Sequence, residues 1–398
     1  MSLIVGLASV VLILSILQDA FETVVLPRRV SRRFRLAHLL FRVSWWLWRR
    51  PAHLVRTAAR REYFLSLYGP LSLLFLLVIW AVGLISGFAL LQWSLGAAMH
   101  APERQTSLST LFYFSGTTFF TLGLGDIAPA AGLPRLVTVI EAGTGFGFLA
   151  LVLSYLPVIY QAFSRREASI AQLDAHAGSP PSALELLRRH ARGEQFPELV
   201  RLLREWERWA AELLESHLSY PVLLYYRSQH ERQSWLAALT TLLDTCALII
   251  AYLDDLPAQT AWFTFAIARH AAVDLAQIFD VKPRSAEADR LVGEERARLL
   301  AGLEDLGLSA SPEREQRLTE LRTLYEPFVQ SLARRLEMTL PAWAPTKVID
   351  DWQTSPWEHL AANLDGLAWQ RKMLKLQHQF EAIKPGAQSP GETSAEPE

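Results

Sequence analysis

Between two apolar runs long enough to cross a bilayer lies a third that is too short, and this shortness restricts the fold more than any other feature of the chain. Leu108 to Phe120 is 13 uncharged residues, about 20 Å of helix against the roughly 30 Å of a hydrocarbon core. A helix that enters and stops is tolerated at that depth only where protein encloses its end. Ser107 is placed to cap its start. Its far end leads directly into Thr121-Leu122-Gly123-Leu124-Gly125-Asp126, where two glycines alternate with two leucines behind a threonine. Glycine reaches the left-handed region freely, so the alternation lets successive carbonyl oxygens turn to one side. A ring of such strands replaces an ion's water shell, and one chain supplies a fraction of the ring. The carboxyl end of the short helix points its negative dipole inward, which favours a cation.

The flanking runs fix the topology. Tyr68 to Trp93 has no charged residue over 26 positions, and Leu136 to Phe163 is interrupted only by Glu141. Either spans a membrane. Between Arg28 and Arg61 there are eleven arginines and no acidic residue, which the positive-inside rule places on the cytoplasmic side. Ser2 to Leu17 carries no charge. Positive charge follows it instead of preceding it, so a retained first membrane helix is expected in place of a cleaved signal. Asp19 and Glu22 then sit near its inner end, solvated or paired with nearby arginines. Phe41, Trp45, Trp46 and Trp48 among Arg42, Arg49 and Arg50 suit a helix lying in the interface with its rings at headgroup depth. Arg29, Arg32 and Arg35 are spaced like gating arginines, but their flanks are too polar for an embedded voltage sensor.

Thr121 to Asp126 resembles the potassium-channel signature Thr-Val-Gly-Tyr-Gly-Asp, matching four of six positions. The resemblance covers roughly residues 66 to 164 and is to bacterial channels with a two-helix pore. It implies a homotetramer in which Thr121, Leu122, Gly123 and Leu124 hold K+ as the permeant ion, with Gly125 completing the filter and Asp126 guarding its mouth. Where relatives brace a tyrosine with a tryptophan pair, this chain has Tyr113 and Phe114, so an apolar brace around Leu124 is expected. Thr117 stands where relatives carry an acidic residue behind the filter. Glu141, costly inside a bilayer, is expected to hydrogen-bond the back of the pore helix through Thr117 or Thr118. Gly143 and Gly147 share a helix face that allows close packing, and by the same resemblance Gly143, Gly145 or Gly147 is the gating hinge. Pro157 is expected to kink the inner helix.

From Arg165 the composition shifts to Leu, Ala, Glu and Arg, with Gly178-Ser179-Pro180-Pro181 marking a boundary. The split in charge agrees: residues 1 to 164 hold 13 Arg, no Lys and six acids, and the remainder 26 basic and 34 acidic residues. Helical spacing predicts Ala183–Ala191, Phe196–His217, Gln229–Leu253, Ala258–Phe279, Ala286–Leu306, Pro312–Thr339 and Trp357–Ile383. Trp235 to Leu253, with Asp244 its one charge, reads as half of a buried hairpin in a soluble bundle and not as another span. No strand pattern or glycine-rich nucleotide loop is present in this half, and no nucleophile and base arrangement suggests an enzyme. The acidic pairs Asp254-Asp255, Glu294-Glu295 and Asp350-Asp351 are expected to be solvated turns or helix starts. His270 and Asp274 are expected to pair within one helix. With Cys246 as the one cysteine, no intrachain disulfide can form.

The expected architecture is an all-α membrane protein: an amino-terminal membrane helix (1–27), a basic cytoplasmic or interfacial segment (28–65), a tetrameric potassium-channel pore of outer helix, re-entrant pore helix, filter and inner helix (66–164), an all-helical cytoplasmic domain (165–383) and a disordered tail (384–398). The expected function is passive K+ conduction across the cell membrane. Partners are further copies of the chain and the bilayer; no nucleic acid, organic cofactor or particular regulatory ligand is indicated. Two alternatives stand beside it: a weakly selective monovalent cation channel on the same fold, and a membrane-anchored signalling or scaffold protein with a vestigial pore.

Overall fold

A computed structural model describes residues 2–26, 36–100, 107–130, 132–190, 196–228, 233–253, 255–279, 281 and 289–345. The expectations for Arg29, Arg32 and Arg35, for Asp254 and Asp350-Asp351, for the helix 357–383 and for the tail 384–398 lie outside the described residues. Among the described residues four helical stretches are long and apolar enough to cross a membrane: Ser2–Val25, Ala58–Ser94, Gly132–Ala177 and Trp235–Tyr252.

Helix α1 (Ser2–Ala20) ends in a π-helical turn, Phe21–Val25, and packs along α4 (Tyr68–Ser94). Gly83 and Gly87 of α4 make the approach: a Cβ there would lie 2.4 Å and 2.6 Å from the side chains of Ile16 and Ile13. Asp19 is buried and, among the described residues, pairs with no arginine. Its Oδ2 accepts the indole N–H of Trp80 at 2.9 Å and the backbone N–H of Ala37 at 3.2 Å, so a buried carboxylate caps the first turn of α2 (Leu36–Ala52). Glu22 accepts from Gln18 Nε2 at 2.9 Å.

The ring-rich face of α2 is turned into protein and not towards headgroups. Trp45, 1% exposed, packs against Tyr68 and Tyr225 and donates its indole N–H to the Arg335 carbonyl at 2.8 Å. Trp48 stacks on Phe64 of α3 (Ala58–Ser66). Trp46 alone of the three tryptophans keeps an outward ring, covered by Arg50. Burial of large rings outweighs interfacial anchoring here because helices from the second half of the chain supply matching apolar surface.

A short antiparallel pair, β1 (Met99–His100) with β2 (Ala128–Pro129), brackets α5 (Leu108–Phe119). Helix α6 (Gly132–Ala177) then runs unbroken for 46 residues, about 69 Å. Its apolar run ends near Phe163, as expected, but the helix continues for 14 residues more, and Pro157 sits within it without ending it. Arg166, buried, ties the lower part to the turn after α8 (Phe196–Ser219): its guanidinium donates to the carbonyls of Leu223 (3.0 Å) and Tyr226 (2.8 Å), meets Nε2 of His217 at 3.2 Å and pairs with Glu167.

Beyond Gly178 the chain forms a bundle around α9 (Trp235–Tyr252), every residue of which is buried. It pairs with α10 (Asp255–Ile278) as the expected hairpin, and α7 (Ala183–His190) and α12 (Pro312–Thr323) pack beside it. Its charge is neutralised internally: Asp244 receives both guanidinium nitrogens of Arg290 (2.7 and 3.0 Å) and the Tyr325 hydroxyl at 2.5 Å. That hydroxyl explains a departure from the expected Pro312–Thr339 helix. The chain breaks at Leu324-Tyr325 to carry the ring inward, and α13 (Glu326–Leu336) restarts with a proline in its first turn, where no N–H is needed. Similarly, only Gly293–Glu304 (α11) of the expected 286–306 helix is helical among the described residues. Glu295 is engaged there, accepting the backbone N–H of Trp343 (2.7 Å) and Ala344 (3.1 Å). His270 pairs with Asp274 at 3.3 Å.

Asp244→Ala removes the bidentate partner of Arg290 and leaves it Glu326 at 3.1 Å, and is expected to destabilise the domain by about 3 kcal/mol, read as a lower thermal midpoint by circular dichroism. A second outcome concerns His190, in contact with His176 at 3.0 Å. Burial, and then His176, pull its pKa from 6.5 to about 4. The folded state thus binds fewer protons than the unfolded one in this window. Its stabilising effect is full above pH 6.5 and is lost as pH falls towards 4; His190→Gln is expected to flatten that part of the midpoint-against-pH curve.

Candidate ion-conducting site

Helix α5 is 12 residues, about 18 Å, and cannot cross a bilayer core of roughly 30 Å. The Ser107 hydroxyl accepts from the Thr110 N–H at 3.2 Å and so starts it. Its last carbonyls are closed from below: Phe120 N–H donates to Gly116 (3.0 Å), Thr121 N–H to Thr118 (3.0 Å), and Leu122 N–H to Thr117 (2.8 Å). The first donors of the following strand, Thr121 to Gly123, are thereby consumed by the helix it leaves. Its acceptors remain: among the described residues none of the carbonyls of Thr121 through Gly125 receives a hydrogen bond.

Those carbonyls are aimed by the backbone. Thr121 has φ 57°, Gly123 56° and Gly125 78°, with Leu122 and Leu124 outside the positive region. A strand of uniform hand alternates its carbonyls from side to side, whereas alternating hand brings successive carbonyls to one side. The glycines adopt this at no steric cost; Thr121, with a branched side chain, bears about 1–2 kcal/mol of strain. Sequence reasoning anticipated the glycines and missed Thr121.

The support differs in detail from expectation. Leu124 is exposed within the chain and has no apolar brace around it. A polar group stands nearby: the Tyr113 hydroxyl faces the Asp126 carboxylate at the end of the strand. Phe114 is buried behind the helix, Thr117 donates its hydroxyl to the Phe114 carbonyl at 2.9 Å, and Thr118 is half-buried. Glu141, fully buried, does reach the back of the pore helix, but through Ser115 and not Thr117 or Thr118. Ser115 lies on the α5 face that meets both α4 and α6, and its hydroxyl also lies 2.9 Å from the Ile85 carbonyl. Small polar residues on an apolar helix were the available signal. Oε2 of Glu141 has no partner.

Of the three inner-helix glycines, Gly145 makes the close approach. A Cβ there would stand 1.9 Å from the Phe119 carbonyl oxygen, whereas nothing lies within 4 Å of one at Gly143 or Gly147. The shared face of Gly143 and Gly147 is open within the chain, so it does not mediate packing there. Pro157 lies ten or more residues further down α6. The exit of the strand is tied to the top of α4 through β1 and β2, with Ala130 N–H on the Ala98 carbonyl at 2.9 Å.

Residues 73–161 match the family model described as "Ion channel", a stretch running from α4 through α5 and the strand to α6. This part of the chain is therefore similar to ion-channel domains. The chain is also similar to a Bacillus subtilis (strain 168) protein described as "Uncharacterized membrane protein YdjJ", 32% identical over 213 residues, which are 53% of this chain and 60% of that one. The chain thus matches about three fifths of the length of that relative. No solved structure matches.

Gly145→Ala forces the inner helix away from the end of α5 and is expected to lower the thermal midpoint and disorder the strand. Gly143→Ala, which meets open space, is expected to change the midpoint by a few degrees at most; equal effects of the two substitutions count against the close approach.

Proposed function

We propose that the chain is one subunit of a homotetrameric, potassium-selective channel conducting K+ passively across the cell membrane. The observation that carries the reading is the strand 121–125, whose backbone alternates in hand, whose first three donors are spent on the pore helix and whose carbonyls receive no hydrogen bond among the described residues. Four such strands around an axis supply stacked oxygen rings in place of a hydration shell. Thr121, Leu122, Gly123 and Leu124 provide the oxygens, Gly125 the final turn, and Asp126, facing Tyr113, the charge at the mouth. Glu141 and Ser115 fix the pore helix against α4 and α6. Gly143 and Gly147, open within the chain, are the positions at which the inner helix is free to bend.

In this reading residues 1–27 are an additional membrane helix, the arginine-rich segment and everything beyond Phe163 are cytoplasmic, and the bundle around α9 is a soluble domain positioned to act on the inner helix. The complete burial of α9, with Asp244 neutralised by Arg290, supports its role as a bundle core and not as a further span.

Purified protein in liposomes, with reversal potentials measured in mixed potassium and sodium, tests the proposal. A potential following the potassium gradient is expected, and Tyr113→Phe is expected to lower the potassium preference by removing the hydroxyl that faces Asp126. Equal permeability favours the weakly selective cation channel, and no flux under any ligand, pH or voltage favours the scaffold. Glu141→Gln is expected to leave expression and the pH dependence of current unchanged, as suits a structural carboxyl.

A further inference from the structure

Where the apolar run of α6 ends, a cavity of about 300 Å³ opens between α6 and the carboxyl end of α8. Ala162, Arg165, Trp209, Glu212, Glu215 and Tyr220 line it. Its depth follows from its walls: Arg165 is the first charge after the uncharged stretch 142–164, and the ring of Tyr220 packs on Tyr155 within that stretch at 5.7 Å. The cavity therefore sits at the level of lipid headgroups.

Its charged groups are not used by the fold. The Trp209 ring lines the cavity as an apolar wall, with its indole N–H buried out of reach of solvent. Among the described residues neither Arg165 nor Glu212 forms an ion pair, and Glu215 accepts only the Ser219 hydroxyl. Arg166 also lines the cavity but is saturated by Glu167, His217 and two carbonyls. The available set is thus one cation and two carboxylates. A plain phosphate dianion meets more negative than positive charge here. A ligand with a phosphate for Arg165, and an ammonium a short spacer away for Glu212 and Glu215, satisfies every member.

We propose that this cavity binds a zwitterionic phosphate–ammonium group, the phosphoethanolamine headgroup of a membrane lipid, at the foot of the inner helix. The site does not depend on which ion permeates.

Full-length protein in mild detergent, titrated with phosphatidylethanolamine and phosphatidylglycerol and read by native mass spectrometry, tests it. The wild type is expected to hold phosphatidylethanolamine about tenfold more tightly than phosphatidylglycerol. Arg165→Ala is expected to weaken both about tenfold. Glu212→Gln combined with Glu215→Gln weakens only phosphatidylethanolamine and so abolishes the preference. Glycerophosphoethanolamine, the same headgroup without acyl chains, separates the sources. Competition only at far higher concentration identifies the lipid, and competition at the lipid's own affinity overturns the lipid assignment in favour of a soluble phosphate ester. Equal binding of the two lipids by the wild type, or a preference that survives all the substitutions, overturns the proposal.

Discussion

A helix that stops inside a bilayer leaves carbonyls that water cannot reach, and protein backbone must come close enough to enclose them. Gly145 is where this happens. The inner helix touches the Phe119 carbonyl at a distance that admits no side chain, the strand turns back its own N–H groups onto Thr117 and Thr118, and Ser115 with Glu141 fastens the other face of the same helix. Remove the approach at Gly145 and the strand has no fixed base from which to present its oxygens. The long helices around it are then less the subject of the fold than the scaffold for twelve residues that go only partway.

Much of this was legible in the sequence because apolar length and charge are direct readouts of a bilayer. The uncharged run 68–93, the short run 108–120 and the arginine block each have one physical reading, and the helices α4 to α6 lie where those runs are. The motif 121–126 was legible by its glycines. What was not legible depends on partners far apart in the chain. Trp45 among arginines reads as an interfacial ring until Tyr225 and Arg335, both distant in sequence, are found packed on it. Asp19 reads as solvated until Trp80 meets it. The break between α12 and α13 is dictated by Asp244, some eighty residues earlier, drawing in the Tyr325 hydroxyl.

Within the candidate site the same division holds. Local chemistry predicted which residues turn the backbone, but not that Thr121 would join the glycines at positive φ, because that conformation is imposed by the pore helix it leaves. The apolar brace expected around Leu124 is not formed within one chain, where the leucine is exposed. The Tyr113 hydroxyl faces Asp126, two residues further on.

The reach of α6 carries a mechanical meaning. Its 46 residues form one rod from beside the strand to well beyond the apolar run, and Arg166 grips it through two carbonyls and a histidine at a point past the end of that run. Three short, directional bonds from one guanidinium resist slip along and around the helix axis alike. A twist applied by the bundle is therefore delivered as torque to the shaft at Arg166, and the compliance available to absorb it lies upstream, at the unpacked glycines 143 and 147, directly beside the strand.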